Sequence, residues 1–113
     1  MTMHVEHLGN ASFTLQSIFT PEECQALIAR AESRGFEVAM VNSRRGAVVD
    51  LNVRSNDRVI WDDPELAEQL WQRVKDHLPV MQQGREIRGL NERFRYYRYR
   101  EGQVFRWHYD GYF

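Results

Sequence analysis

From Gly89 onward the chain changes character. Leu90-Asn91-Glu92-Arg93-Phe94-Arg95-Tyr96-Tyr97-Arg98-Tyr99-Arg100 interleaves aromatic residues with arginines, Glu101-Gly102 breaks the run, and 104–113 resumes it. Aromatic side chains fit the pleated, half-buried surface of a sheet, and a Glu-Gly step marks a turn. Two β-strands joined by a tight connection are therefore predicted over 90–100 and 104–113. A ribbon that stops at Tyr112-Phe113 leaves unpaired edges and an uncovered apolar face, so aggregation or dependence on a partner is expected of it in isolation.

Upstream of this ribbon the periodicity is helical. In Thr20-Pro21-Glu22-Glu23 the threonine can cap a free amide, Pro21 sits where its missing N–H costs nothing, and Glu23 completes a capping box. The spacing predicts a helix over 21–33, with Cys24, Leu27, Ile28 and Ala31 as its apolar stripe and Gly35 as its C-terminal cap. Cys24 on that stripe reads as a small core hydrophobe rather than a nucleophile. A second helix opens at Asp62-Asp63-Pro64, both carboxylates being explained by its N-terminus. It buries Leu66, Leu70, Trp71, Val74 and Leu78 and ends at Pro79. Phe13 and Leu15 predict a short strand ahead of the first helix, and 36–41 a strand after it. The segment 42–56 reads as a charged loop whose Arg44-Arg45 pair forms a solvated turn, and His4 and His7 read as solvated terminal residues.

With 113 residues the chain supports one small domain, divided by composition into a helical support region, 1–88, and the first core strands, 89–113. The net charge of -1 provides no global field for nucleic acid or an anionic membrane. No stretch approaches the roughly 18 consecutive apolar residues of a membrane-spanning helix, so no membrane partner is expected. A single cysteine, Cys24, precludes an internal disulfide. The opening MTMHVEHLGN lacks the basic and apolar regions of a secretory signal, and a cytoplasmic setting is the expectation.

The chemistry is concentrated at His108-Tyr109-Asp110. In an extended strand, residues two apart project from the same face, so the imidazole of His108 and the carboxylate of Asp110 can reach one metal ion together while Tyr109 points away. Two histidines and one carboxylate on one face of an octahedral ion form the arrangement that activates oxygen at non-haem Fe(II), and this segment offers two of the three. Taken alone, the spacing reads rather as a His and an Asp sharing a hydrogen bond on a strand face.

The whole run from Leu90 to Asp110, with an aromatic strand, a Gly turn and an aromatic ahead of His-x-Asp, resembles the segment entering the metal site of iron(II)- and 2-oxoglutarate-dependent dioxygenases of the prolyl 4-hydroxylase type. Phe19-Thr20-Pro21-Glu22-Glu23-Cys24 is similar to the phrase that opens the first helix in that family. The resemblance implies an α+β fold, the N-terminal part of a double-stranded β-helix (jelly roll) with two supporting helices and the barrel incomplete. It also implies an oxidoreductase that hydroxylates a protein or peptide substrate, with Fe(2+) held by His108 and Asp110. 2-Oxoglutarate and O2 would be cosubstrates and L-ascorbate (vitamin C) an accessory. Tyr99 would contribute its hydroxyl to the 2-oxoglutarate pocket. Strand alternation then puts Arg93, Arg95, Tyr97 and Tyr99 on one face, so Arg95 and Tyr97 should line that pocket too. Phe105 stands where the family often has Tyr.

The family's distal metal-binding His and the Lys or Arg that pairs with the far carboxylate of 2-oxoglutarate lie well downstream of His-x-Asp, and none of His4, His7 or His77 sits in the matching context. The chain is therefore expected to be inactive as it stands, needing the C-terminal half of the domain in cis or in trans. Two rival readings remain. Arginines alternating with Phe and Tyr over 93–100 occur on sheets that stack single-stranded RNA bases, although the charge balance argues against a nucleic-acid partner. A non-catalytic interaction module that keeps the scaffold is the other.

Overall fold

The computed structural model describes residues 3–9, 12–43, 46–51 and 53–108. In chain order its elements are β1 (His4–His7), β2 (Phe13–Gln16), α1 (Pro21–Arg34), β3 (Glu37–Val38), β4 (Val41–Ser43), β5 (Gly46–Val48), β6 (Asp57–Asp62), α2 (Pro64–Val74), β7 (Met81–Gln82), β8 (Arg85–Glu86) and β9 (Arg93–Arg98). Three antiparallel pairs, β1-β2, β4-β5 and β7-β8, accompany one three-stranded sheet of order β3-β6-β9. Among the described residues no sheet closes into a barrel, and no helix is long and apolar enough to cross a membrane. The chain packs as two compact units, Met1–Arg30 with Asp62–Phe94 and Ala31–Trp61 with Arg95–Phe113. Both are discontinuous in sequence.

In the first unit the start of α1 is closed as its sequence demands. The Thr20 amide donates to Glu23 Oε1 at 2.9 Å and the Glu23 amide donates to Thr20 Oγ1 at 3.1 Å, a reciprocal capping box. Glu23 also takes two hydrogen bonds from Arg73 of α2, at 2.9 and 2.6 Å, while Arg73 reaches the Ile18 carbonyl at 3.0 Å and lies 5.4 Å from the Phe19 ring centroid. The Arg73 guanidinium, then the Thr20 amide, hold the Glu23 carboxyl at about 2 against an ordinary 4.5, and the same contact raises the Arg73 pKa.

Asp63 caps α2 by accepting from the Leu66 amide at 3.0 Å and pairs with Arg30 at 2.6 Å. Asp62 does not share that role. It ends β6 and takes both arms of Arg93, at 2.9 and 3.2 Å, so the reading of both carboxylates as helix-terminal is corrected. The buried face of α2 centres on Ala67 and Val74, with Leu66, Leu70 and Trp71 half-buried beside them. The α-helix ends at Val74, with the Lys75 amide still donating to the Trp71 carbonyl, and a single 3-10 turn carries the chain to His77. The β7-β8 hairpin turns on Gln83 and Gly84, both at positive φ (51° and 76°), the signature of a type I′ turn whose twist suits a two-residue hairpin.

In the second unit the last turn of α1 buries Ala31. Gly35, at φ 91°, donates its amide to the Ala31 carbonyl and ends the helix as expected. The rest of the stripe predicted for α1 is corrected: Leu27 is half-buried, but Ile28 and Cys24 are exposed, so Cys24 is a surface thiol rather than a core residue. The predicted strand over 36–41 is broken into β3, which pairs with β6, and β4, which turns back on β5 inside the segment read as a loop. Arg44 and Arg45 lie outside the described residues. Ala39 and Val59 complete a small apolar core beside fully buried Asn56, whose carbonyl accepts from the Ala39 amide at 3.1 Å. So few apolar residues leave aromatic faces to be covered by guanidinium groups: Arg34 lies 4.4 Å from the Trp61 centroid and Arg98 4.2 Å from that of Phe36.

Two ion pairs define the direction of β9. Asp57, first in β6, meets Arg98, last in β9, at 3.0 Å, and Asp62, last in β6, meets Arg93, first in β9, at 2.9 Å. The two strands therefore run in opposite directions. Past β9 the Arg100 carbonyl accepts from the Gln103 amide at 3.0 Å, with Gly102 at φ 82°, which matches the expected Glu101-Gly102 turn, of type II. The segment beyond this turn does not form a second strand within the described residues. Residues 104–108 make one isolated bridge, Phe105 to Arg54, and a bend at Trp107.

Candidate functional site

The residues singled out in the sequence are Arg95, Tyr97, Tyr99, His108 and Asp110. Asp110 and Tyr109 lie outside the described residues; the other four belong to the second unit. β9 ends at Arg98, so Tyr99 sits just beyond the regular strand with about half its surface exposed. Arg95 is half-buried within the strand. On the opposite face from Tyr97, Arg98 is committed to Asp57 and, at 3.3 Å, to Glu32.

What organises the site is a residue that sequence reasoning passed over. Arg54 is only 5% exposed, and its Cζ lies 4.3 Å from the centroid of the Tyr97 ring and 4.1 Å from that of Phe105. Its Nε donates to Asn56 Oδ1 at 2.9 Å, whereas its Nη2 is buried without a hydrogen-bond partner among the described residues. A buried donor left unmet costs on the order of 1–3 kcal/mol, so two aromatic faces and one amide oxygen only partly compensate this cation. Nothing in the spacing of 42–56 marks Arg54: it interrupts no apolar period, and its aromatic neighbours, Tyr97 and Phe105, come from a distant part of the sequence.

The backbone places Arg54 opposite Phe105. The Ser55 amide donates to the Val104 carbonyl at 2.8 Å, the Val104 amide to Ser55 Oγ at 2.8 Å, and the Arg106 amide to the Val53 carbonyl at 2.9 Å. These bonds bracket the Arg54–Phe105 bridge on both sides.

His108 completes the arrangement. Its imidazole stacks on the Phe105 ring with centroids 3.7 Å apart and planes 5° from parallel. Two groups about 4 Å from one ring centroid cannot occupy the same face, so Arg54 and His108 cover opposite faces of Phe105. The sequence Tyr97, Arg54, Phe105, His108 is thus a continuous stack. His108 Nδ1 lies 2.7 Å from the Arg106 carbonyl. A carbonyl only accepts, so in this bond Nδ1 carries the proton. His108 and Trp107 are exposed, and together with Val104, Phe105 and Arg106 they line an open depression of the surface.

The structure therefore brings Tyr97 and His108 into one assembly. Among the described residues no group of three His, Cys, Asp or Glu side chains is placed to hold a metal. His108 is exposed, and the contact of its Nδ1 with a backbone carbonyl fixes the orientation of the ring. Comparison of the chain with protein-family models, curated proteins and solved structures gave no match.

Proposed function

We propose that this chain is the metal-binding front portion of an iron(II)- and 2-oxoglutarate-dependent dioxygenase of the prolyl 4-hydroxylase type, acting on a protein or peptide substrate. The observation that supports the reading is the placement of His108, whose Nδ1 is engaged by the Arg106 carbonyl, which would leave Nε2 as the coordinating nitrogen, in the sequence context His108-Tyr109-Asp110. The chemistry such a centre supplies when Fe(2+) is bound is hydroxylation of a C–H bond coupled to oxidation of 2-oxoglutarate by O2, giving succinate and CO2, with L-ascorbate keeping the iron reduced.

The chain's own residues would do the holding and orienting. His108 and Asp110 are two of the three metal ligands, the third coming, with the basic residue that pairs with 2-oxoglutarate, from further strands in cis or in trans. Tyr99, half-exposed just past β9, would offer its hydroxyl to the cosubstrate, Arg95 lies within the strand four residues before it, and Tyr97 acts through its ring, as the outer wall of Arg54. The two helices and small sheets form the support region of a jelly roll on this reading.

A nucleic-acid role is not favoured. In the run Arg93 to Arg100, Arg93 and Arg98 are already engaged by the carboxylates of Asp62, Asp57 and Glu32, so they serve the sheet rather than a phosphate backbone. The test of the enzyme reading is succinate formation from 2-oxoglutarate by the chain supplemented with the strands that complete the site. Turnover that requires Fe(2+) and is abolished by Asp110→Ala is expected, and metal-independent or absent turnover contradicts the reading.

A further inference from the structure

We infer that Arg54 is the positioning residue for His108, acting through Phe105. Two contacts link them. The first is the stack: the guanidinium covers one face of Phe105 at 4.1 Å and the imidazole covers the other at 3.7 Å, so the plane of the Phe105 ring sets the plane of the His108 ring. The second is the backbone: the Arg106 carbonyl that fixes the His108 tautomer belongs to a residue whose own amide is held by Val53, directly before Arg54. The Phe105 ring and the Arg106 carbonyl, each in contact with the imidazole, are thus both referred to the segment Val53 to Ser55.

The burial of Arg54 argues that its guanidinium has a use beyond filling space. Among the described residues its Nη2 has no hydrogen-bond partner, although an aliphatic side chain would occupy the volume without stranding a donor. What an aliphatic chain lacks is a flat cationic plate able to lie against two rings at once, Tyr97 on one side and Phe105 on the other. That plate holds the ring on which His108 rests. The consequence for metal binding depends on His108 being a ligand, as proposed above; the geometric link does not.

The experiment compares wild type, Arg54→Lys and Phe105→Leu by nitrogen and proton NMR of the His108 imidazole, and then by titration with Co(II) alone. Stacking on Phe105 shifts the His108 ring protons upfield in the wild type, and the nitrogen shifts report the Nδ1–H tautomer. Arg54→Lys keeps the charge but not the plate, so the ring protons should move toward their unstacked positions and the Nδ1–H tautomer should lose its dominance. Co(II) affinity should fall by about 10-fold, the lower end of what loss of support around a ligand produces. A merely structural or purely electrostatic role predicts that the folded Lys variant keeps the wild-type His108 signals, and that result would overturn the inference. If Arg54→Lys does not fold, Phe105→Leu, which leaves the Arg54–Asn56 hydrogen bond in place, decides by the nitrogen shifts alone, since the ring-current shift disappears with the ring: loss of Nδ1–H dominance supports the link through Phe105, and its retention overturns it. A wild-type chain that binds no Co(II) while its His108 signals respond to Arg54→Lys would sink the metal reading and leave the positioning role standing.

Discussion

Glu23 and Arg73, fifty residues apart, face each other fork to fork, with Arg73 Nη1 donating to Glu23 Oε1 at 2.9 Å and Nη2 to Oε2 at 2.6 Å. The same carboxylate closes the capping box of α1. One side chain therefore fixes the start of the first helix and ties it to the second.

This arrangement makes stability sensitive to acid over a defined window. The Glu23 carboxyl titrates at about 2 in the folded chain instead of 4.5, so the folded state prefers the ionised form more strongly than the unfolded state does. Its contribution is complete above the ordinary value and disappears as pH falls from there through about 2. Urea midpoints measured across that range should decline more steeply for wild type than for Glu23→Gln. Parallel declines would show that the carboxylate is not the group responsible.

Asp63 should prove more costly to truncate than to neutralise. It is 8% exposed, accepts from the Leu66 amide and pairs with Arg30. Asp63→Asn keeps an oxygen for the cap, whereas Asp63→Ala removes both interactions, and loss of a cap alone is worth roughly 0.5–2 kcal/mol. Chemical denaturation should therefore rank wild type, Asn and Ala in descending order. Equal loss in the two variants would assign the stabilisation to the ion pair alone.

The helical part of the fold was legible in the sequence because its determinants are local. Thr20 to Glu23, Asp63-Pro64 and Gly35 each carry their instruction within a few residues, and each adopts the geometry that instruction implies. The α1 stripe was read less well because helical spacing says which residues share a face but not how far a partner covers it, and Ile28 and Cys24 are left at the surface. The role of Asp62 is not legible locally for a similar reason: its partner, Arg93, lies on a strand thirty-one residues away. Of the candidate site, the sequence marked Tyr97 and His108 but not the link between them, since Arg54 becomes informative only when β9 and the Phe105 segment are folded around it.

Gly102 should tolerate no ordinary side chain without loss. It holds φ at 82° in the turn between β9 and the Phe105 segment, and no atom lies within 4 Å of where a Cβ would be, so strain rather than a clash is the cost. Gly102→Ala should lower stability by about 1 kcal/mol, and Gly102→Asn by less, because asparagine visits the left-handed region more readily. A thermal unfolding comparison in which Ala equals Gly would mean that the turn has relaxed to a different type.

The most direct test of the account is a spectroscopic titration of the chain with Co(II), a coloured stand-in for Fe(2+), in wild type, His108→Ala and Asp110→Ala. Wild type should bind one ion with visible bands characteristic of nitrogen and oxygen ligation, and each substitution should weaken that binding by about 10-fold or more. Binding that both substitutions leave untouched, or no binding at all by the wild-type chain, would contradict the claim that His108 and Asp110 share a metal.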